Sequence, residues 1–224
     1  MMTKGIAKLK ATGARVHLSY YGDGGLRPTW GGGDAGAPVS SGDALLLAER
    51  MAQNVADWDL DGVDIFTIGT QERSLGFPGQ NVGFHYSVIK NLRRLLPSGK
   101  TISYSIAPYS PPSIEIDGRY PWHPMEEVIA LCHKYLDYIN IKMDAEHEAP
   151  MFNFLTSELG VPANKIGWLI ELTNVEETLE ETMIFLANSI KQRGLHGLSL
   201  FTINKENNLF GGDFLKQISE NLYT

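Results

Sequence analysis

The stretch DGVDIFTI, residues 61–68, decides the fold, because its β-branched and aromatic side chains make a strand from Gly62 onward. Five further strand-like runs lie on either side of it, and longer runs with helical periodicity separate them. Strands that alternate with helices at intervals of roughly 30–40 residues indicate βαβ units and a parallel sheet. The sequence therefore predicts an α/β fold with strands at 15–20, 62–68, 101–107, 137–143, 165–172 and 197–203.

The segments around these strands have the composition and spacing of helices. The clearest case is residues 41–58, where Leu47, Met51, Val55 and Trp58 fall on one apolar face. The predicted helices cover 3–12, 41–58, 84–96, 124–135, 149–159, 175–192 and 212–222.

Composition narrows the class of protein. The chain has 224 residues, of which 43% are hydrophobic and 20% charged, so we expect one globular domain over 1–224 with a sizeable core. Its formal net charge of −7 argues against a nucleic-acid or anionic-membrane surface. No apolar run approaches the roughly 20 residues that cross a bilayer, and the N-terminus lacks the apolar core of a signal peptide. We expect a soluble protein, and the sequence does not specify its compartment.

Cysteine and histidine usage argues against a disulfide or a metal site. Cys132 is the single cysteine and lies in an apolar run, so it is expected to be a buried small hydrophobe. The six histidines show no HxxxH or HxH pairing, and no Gly-x-Gly-x-x-Gly turn opens a helix. No metal and no cofactor are therefore predicted.

The stretch at 61–68 resembles the strand motif DGxDxDxE of glycoside hydrolase family 18, the chitinase-like (β/α) barrels. Asp61, Gly62 and Asp64 match this motif. Phe66 stands where the family has its third aspartate, and Ile68 stands where it has its glutamate. The resemblance implies a divergent barrel of the TIM type that lacks the catalytic pair.

Three other segments resemble strands of that family in the same order. HLSYYG at 17–22 is similar to the strand that ends in SxGG, and YINIKMD at 138–144 is similar to the strand that supplies a tyrosine or aspartate to the sugar pocket. GLSLFTIN at 197–204 is similar to the final strand, where the family usually has tryptophan at the position of Phe201. In the family, two strands precede the SxGG strand, so the resemblance implies that the first two of eight strands are absent here.

The resemblance also implies how catalysis would fail. In the family, the glutamic acid protonates the glycosidic oxygen, the acetamide of the substrate attacks the anomeric carbon, and the aspartate two residues earlier orients that acetamide. Alternate residues of a strand point the same way, so positions 66 and 68 should project together into the barrel mouth. Phe66 and Ile68 carry no titratable proton. Loss of a general acid alone typically costs a factor of about 10² to 10⁴, so we expect no catalytic residue at these positions.

Other carboxylates remain as fallback candidates for an active hydrolase. Asp64 should point to the same side as Phe66, and Asp144 and Glu171 lie at or near predicted strand C-terminal ends, where barrel enzymes place their active groups. The alternative roles are a hydrogen-bonded carboxylate inside the barrel for Asp64 and solvated rim charges for Asp144 and Glu171.

Aromatic residues at likely rim positions suggest glycan binding, because aromatic rings stack on sugar faces. Ordinary loop packing is the alternative for each ring. The candidate ligand-binding residues are Tyr20, Trp30, Asp64, Tyr109, Trp122, Asp144 and Phe201.

Three functions remain open from the sequence. The first is a catalytically impaired family 18-like protein that binds glycan or a protein partner at the C-terminal ends of its strands. The second is an active glycoside hydrolase with an unusual substrate, and the third is a structural subunit without a ligand. The strands at 15–20 and 197–203 border a gap, which a second copy, another subunit or a preceding segment of chain could fill. Of these, a homo-oligomer or a partner subunit is expected.

Overall fold

A computed structural model of the chain describes residues 2–11, 13, 15–23, 41–68, 78–106, 123–143, 145, 147–171 and 178–201. Within these residues six strands alternate with six helices, and the six strands agree with the prediction. The strands are β1 (His17–Asp23), β2 (Gly62–Ile68), β3 (Thr101–Ile106), β4 (Tyr138–Lys142), β5 (Ile166–Glu171) and β6 (Gly197–Phe201). The helices are α1 (Met2–Ala11), α2 (Ser41–Asp57), α3 (Pro78–Leu95), α4 (His123–Cys132), α5 (Glu148–Asn153) and α6 (Thr178–Arg193).

The strands form one parallel sheet in the order β1-β2-β3-β4-β5-β6. Sequential order with a helix between neighbouring strands is the arrangement of a TIM-type barrel. Over the described residues the sheet is not closed, since β1 pairs with β2, β6 pairs with β5, and no ladder joins β1 to β6. The predicted α/β class is confirmed.

Two helices differ most from the sequence prediction. Helix α3 begins at Pro78, six residues before the predicted start, and proline suits a first helical turn because its φ is already fixed near the helical value. Helix α5 is shorter than predicted, and a π-helical turn at Phe154–Glu158 continues it. Residues 212–222, predicted as a last helix, lie outside the described residues.

The two faces of the sheet have different chemistry. The face that packs against the helices is apolar and includes Ile65, Tyr104 and Trp168, each 0% exposed. We call the opposite face, which carries Asp64, the inner face. On this face the residues of β3 are Thr101, Ser103 and Ser105, which are buried although polar.

Gly62 is required by close packing between β2 and β3. A Cβ at this position would overlap the carbonyl oxygen and the hydroxyl of Thr101. The glycine of the DGxD pattern therefore has a steric cause in this fold.

The loop before β2 is tied to α1 and β1. Asp59 adopts a φ of 48°, and Lys10 reaches its carboxylate at 2.7 Å. Asp61 accepts a 2.8 Å hydrogen bond from the N–H of Val16. Burial alone would raise the pKa of Asp61, but the Val16 N–H and Lys10 outweigh it, and the pKa lies below its usual value.

Cys132 is buried in α4, as the sequence predicted. Burial raises the pKa of its thiol to about 12. The thiol is therefore protonated and unreactive at neutral pH.

Candidate functional site: the inner face of the sheet

Asp64 is the centre of a hydrogen-bond network on the inner face. Register pairs it with Ser19 of β1 and Ser103 of β3. The hydroxyls of Ser103 and Ser105 each donate to its Oδ1 at 2.7 Å, and the hydroxyl of Ser19 donates to its Oδ2 at 3.1 Å. Three hydroxyl donors on the two neighbouring strands thus share this carboxylate as their acceptor.

The network continues from Ser105 to β4. The Asn140 amide donates to the Ser105 hydroxyl at 3.1 Å, so that hydroxyl accepts from Asn140 and donates to Asp64. The absence of a side chain at Gly167 of β5 leaves room for the Asn140 amide, because a Cβ at Gly167 would lie 2.5 Å from the Asn140 Oδ1. This bond pairs the buried Asn140 amide with the buried Ser105 hydroxyl, as is usual for buried polar groups.

Phe66 follows Asp64 on the inner face, one pleat closer to the C-terminal end of β2. It pairs with Tyr21 of β1 and Ser105 of β3 and is 3% exposed. A buried aromatic ring thus occupies the position where the resemblance predicts the acetamide-orienting aspartate. Ile68 is the last residue of β2, in register with Asp23.

Two other candidates lie at the strand C-terminal ends. Glu171 ends β5 and Phe201 ends β6, and the two are in register. Trp30, Tyr109, Trp122 and Asp144 lie outside the described residues.

Tyr20, expected among the ligand contacts, lies instead on the helix side of the sheet. Its hydroxyl accepts a 2.7 Å hydrogen bond from the Asn54 amide of α2, and its ring packs against the core. The reason is strand alternation: Ser19 faces Asp64, so its neighbour Tyr20 must face the helices. Burial raises the pKa of the Tyr20 hydroxyl, although the hydrogen bond from Asn54 opposes this.

Histidines lie near the N-terminal ends of the strands. His17 Nε2 is 2.8 Å from the Thr101 hydroxyl, and burial lowers the pKa of His17. The ring of His196 stacks on Tyr138 with centroids 3.4 Å apart, and burial, assisted by Arg15, lowers its pKa. Both rings are therefore neutral at pH 7, which fits a structural role.

Ser103, Ser105 and Asn140 were missed as site residues by sequence reasoning. A signal was present in the strand at 101–106, where hydroxyl residues alternate with isoleucine and tyrosine. This alternation predicts a polar inner face, but only the register identifies Asp64 as its partner.

The described residues contain no group of three or more histidine, cysteine or acidic side chains placed to bind a metal ion. In the same part of the chain, no helix combines the length and the apolar character needed to cross a membrane. On the described part of the inner face, the available chemistry is hydrogen bonding around the carboxylate of Asp64.

Comparison with known proteins identifies the fold. No protein-family model and no curated protein sequence matches the chain. A family 18 chitinase from Pseudoalteromonas aurantia matches in structure with a TM-score of 0.67 and 21% identity, over 98% of this chain and 81% of that chain.

Two further structures agree with this match. A double mutant of the endo-β-N-acetylglucosaminidase of Cordyceps militaris, in complex with fucosyl-N-acetylglucosamine-Asn, matches with a TM-score of 0.63 and 14% identity, over 98% of this chain and 73% of that chain. YKL-39, solved in the presence of chitooligosaccharides, matches with a TM-score of 0.62 and 12% identity, over 100% of this chain and 85% of that chain. The chain therefore has the fold of the chitinase-like proteins of glycoside hydrolase family 18.

Proposed function

We propose that this chain is a catalytically impaired family 18-like protein that binds a glycan or a protein partner at the C-terminal ends of its strands. The observation that carries the proposal is Phe66, whose buried ring fills the inner-face position next to Asp64. A hydrolase that works by acid catalysis needs a protonated carboxyl beside the glycosidic oxygen. Phenylalanine and isoleucine at positions 66 and 68 do not supply one.

One of the similar structures supports the interpretation of positions 66 and 68, two residues apart, as the place of the missing acid pair. In the Cordyceps militaris enzyme, the two mutated residues are an aspartate and a glutamate two positions apart, each changed to its amide. Phe66 and Ile68 have the same spacing in β2. The change in this chain is larger than an amide replacement, because it also removes the polar atoms.

Glycan binding is supported by the fold and by analogy. YKL-39 was solved with chitooligosaccharides and has the same fold. In (β/α) barrels the ligand site lies at the strand C-terminal ends, where Glu171 and Phe201 are located. Analogy of fold does not fix the ligand, so the glycan must be identified by experiment.

Asp64 has a structural role that does not depend on catalysis. Its carboxylate accepts hydrogen bonds from the hydroxyls of Ser19, Ser103 and Ser105.

The proposal is tested by turnover and binding in parallel. Fluorogenic chitooligosaccharides at pH 4 to 8 should give no hydrolysis above background, whereas a glycan array followed by calorimetry should identify a ligand. Replacement of Trp30, Tyr109 or Trp122 by alanine should weaken that binding, and Phe185→Ala, an exposed change on α6, is the matched control. Turnover like that of an ordinary family member would support the active hydrolase instead. Absence of both turnover and binding would support a structural subunit.

We also propose that the chain works as an oligomer or with a partner subunit. The support is the sheet itself, which over the described residues has free edges at β1 and β6. Free edges of a parallel sheet are normally covered.

A further inference from the structure

Two partly exposed tyrosines join the outer surfaces of α3 and α4. Tyr86 of α3 and Tyr135, which follows α4, meet edge to face with their ring centroids 6.2 Å apart. The Lys90 ammonium lies 5.5 Å from the centroid of the Tyr86 ring, and the Lys134 ammonium lies 5.2 Å from that of the Tyr135 ring. Each ring attracts the ammonium above it and so holds the charge at the protein surface. We call these four residues, together with Arg94, the tyrosine–lysine surface.

The three cations of this surface are exposed and, in the described part of the chain, have no acidic partner. Arg94 lies one turn beyond Lys90 on α3, so the two side chains share a face. None of the ion pairs between described residues involves Lys90, Arg94 or Lys134. Asp137, the carboxylate nearest to Lys134 along the chain, is already bound by Arg93. Three positive charges therefore remain available to a ligand.

The charge of α3 differs from that of the chain as a whole. Its 18 residues include three cations and no acidic residue, whereas the chain has a formal net charge of −7. The helix dipole favours cations in the last turn, which accounts for Arg93 and Arg94. It does not account for Lys90, which lies before that turn. The positive charge is therefore a local property of the tyrosine–lysine surface.

Apolar area lies beside these charges. Leu131 of α4 is 47% exposed and precedes Tyr135 by four residues, where hydrogen bonds from His133 and Leu136 continue the helical path. Tyrosine and arginine are enriched where proteins bind one another. The tyrosine–lysine surface thus offers apolar contact between its positive charges.

The arrangement favours a peptide segment over a sugar. Both tyrosine rings pack partly against the core, and a lysine lies over each of them, so neither ring offers the open face on which a sugar stacks. Successive steps of 5.5, 6.2 and 5.2 Å lead from Lys90 through the two rings to Lys134. A stretch of about five extended residues spans this path, so carboxylates of one segment can reach both ammonium groups.

We propose that the tyrosine–lysine surface is a docking site for an acidic segment of a partner polypeptide, whose carboxylates pair with the three cations while an apolar side chain packs against Leu131 and Tyr135. Complementary charge of this kind speeds association and selects the partner. The site is separate from the proposed glycan site, because it lies on the outer surface of α3 and α4 and not at the strand C-terminal ends.

Three synthetic probes test the proposal on the full chain. They are a nine-residue peptide of glutamate with one central leucine, the same peptide with lysine for glutamate, and a sulfated oligosaccharide with the negative charge of the first peptide. Calorimetry measures the affinity, and changes in amide chemical shift locate the contact. The glutamate peptide should bind at least about tenfold more tightly than the other two probes, should shift amide signals of α3 and α4, and should bind more weakly as the salt concentration rises.

Single substitutions make the test specific. Lys90→Gln and Lys134→Gln should each weaken binding of the glutamate peptide about fivefold, because each removes one charge pair, and circular dichroism checks the fold. Lys191→Gln is the matched control, since Lys191 is an exposed lysine on α6, and it should leave the affinity unchanged. An equal loss with Lys191→Gln, tighter binding of the sulfated oligosaccharide, no binding of the glutamate peptide, or shifts located away from α3 and α4 would each overturn the proposal.

Discussion

The hydroxyl of Ser105 donates a 2.7 Å hydrogen bond to the carboxylate of Asp64 on the neighbouring strand. This bond joins the part of the family motif that the chain retains to a row of polar side chains on β3 and β4. Asp64 therefore has a role that needs no catalytic partner, since it accepts hydrogen bonds from the buried hydroxyls of Ser103 and Ser105 on β3 and from the exposed hydroxyl of Ser19 on β1.

Asp64→Ala should lower the free energy of unfolding by about 1–3 kcal/mol, because it leaves the buried hydroxyls of Ser103 and Ser105 without their acceptor. Urea denaturation measures the change. Asp57→Ala is the control, since Asp57 is exposed and accepts a hydrogen bond from exposed Gln53, and it should change stability by less than about 0.5 kcal/mol. Equal effects of the two substitutions would contradict the network.

Phe66→Asp should cost at least about 3 kcal/mol of stability, because it removes a buried ring and buries a carboxylate in its place. Phe66→Leu, which keeps an apolar side chain, should cost less than about 1.5 kcal/mol. Thermal unfolding of the two variants compares them. A well-folded Phe66→Asp protein would show that water reaches this position. The double variant Phe66→Asp with Ile68→Glu would then be the next variant to assay for hydrolysis.

Gly62→Ala should prevent native pairing of β2 with β3, because the new methyl group would overlap the Thr101 carbonyl oxygen. We expect loss of soluble folded protein or a destabilisation above about 3 kcal/mol. Gly197→Ala is the matched control in another strand, since its Cβ would meet no atom within 4 Å. The measurements are the expression yield and the free energy of unfolding of the two variants. Similar values for both would contradict the close contact between Gly62 and Thr101.

His85 should make the protein sensitive to acid. It lies in α3 and is 0% exposed, and its Nδ1 is 2.8 Å from the Tyr104 hydroxyl. Burial lowers its pKa to about 4 from a usual value of 6.5. A group whose folded pKa is lowered in this way binds its proton more readily when unfolded. The neutral His85 ring therefore contributes fully to the free energy of unfolding above pH 6.5. Roughly 3 kcal/mol of this contribution is lost as the pH falls toward 4.

The measurement is urea unfolding between pH 7 and pH 4 for the native protein and for His85→Gln. The native protein should lose more stability across this range than the variant, since glutamine does not titrate. Ser87→Ala, a change without a titratable group in the same helix, serves as the control and should retain the native pH dependence. Parallel curves for the native protein and His85→Gln would show that His85 is not the titrating group.

The sequence alone determined the order of the elements. Runs of β-branched residues and helices with one apolar face predicted every strand of the described sheet, because burial on one side imposes a period of two on strands and 3.6 on helices. The motif at 61–68 also predicted the family 18 fold, and that prediction is confirmed by the structural matches.

Only the tertiary structure decided which residues meet. The hydroxyls that bind Asp64 come from Ser19, 45 residues before it, and from Ser103 and Ser105, 39 and 41 residues after it. No local pattern encodes such distances, because strand register depends on the packing of the whole sheet. The same register turned Tyr20 toward α2, although its place near a strand end had suggested a ligand contact. Local periodicity is a property of the chain, whereas a site is a property of the pairing between strands.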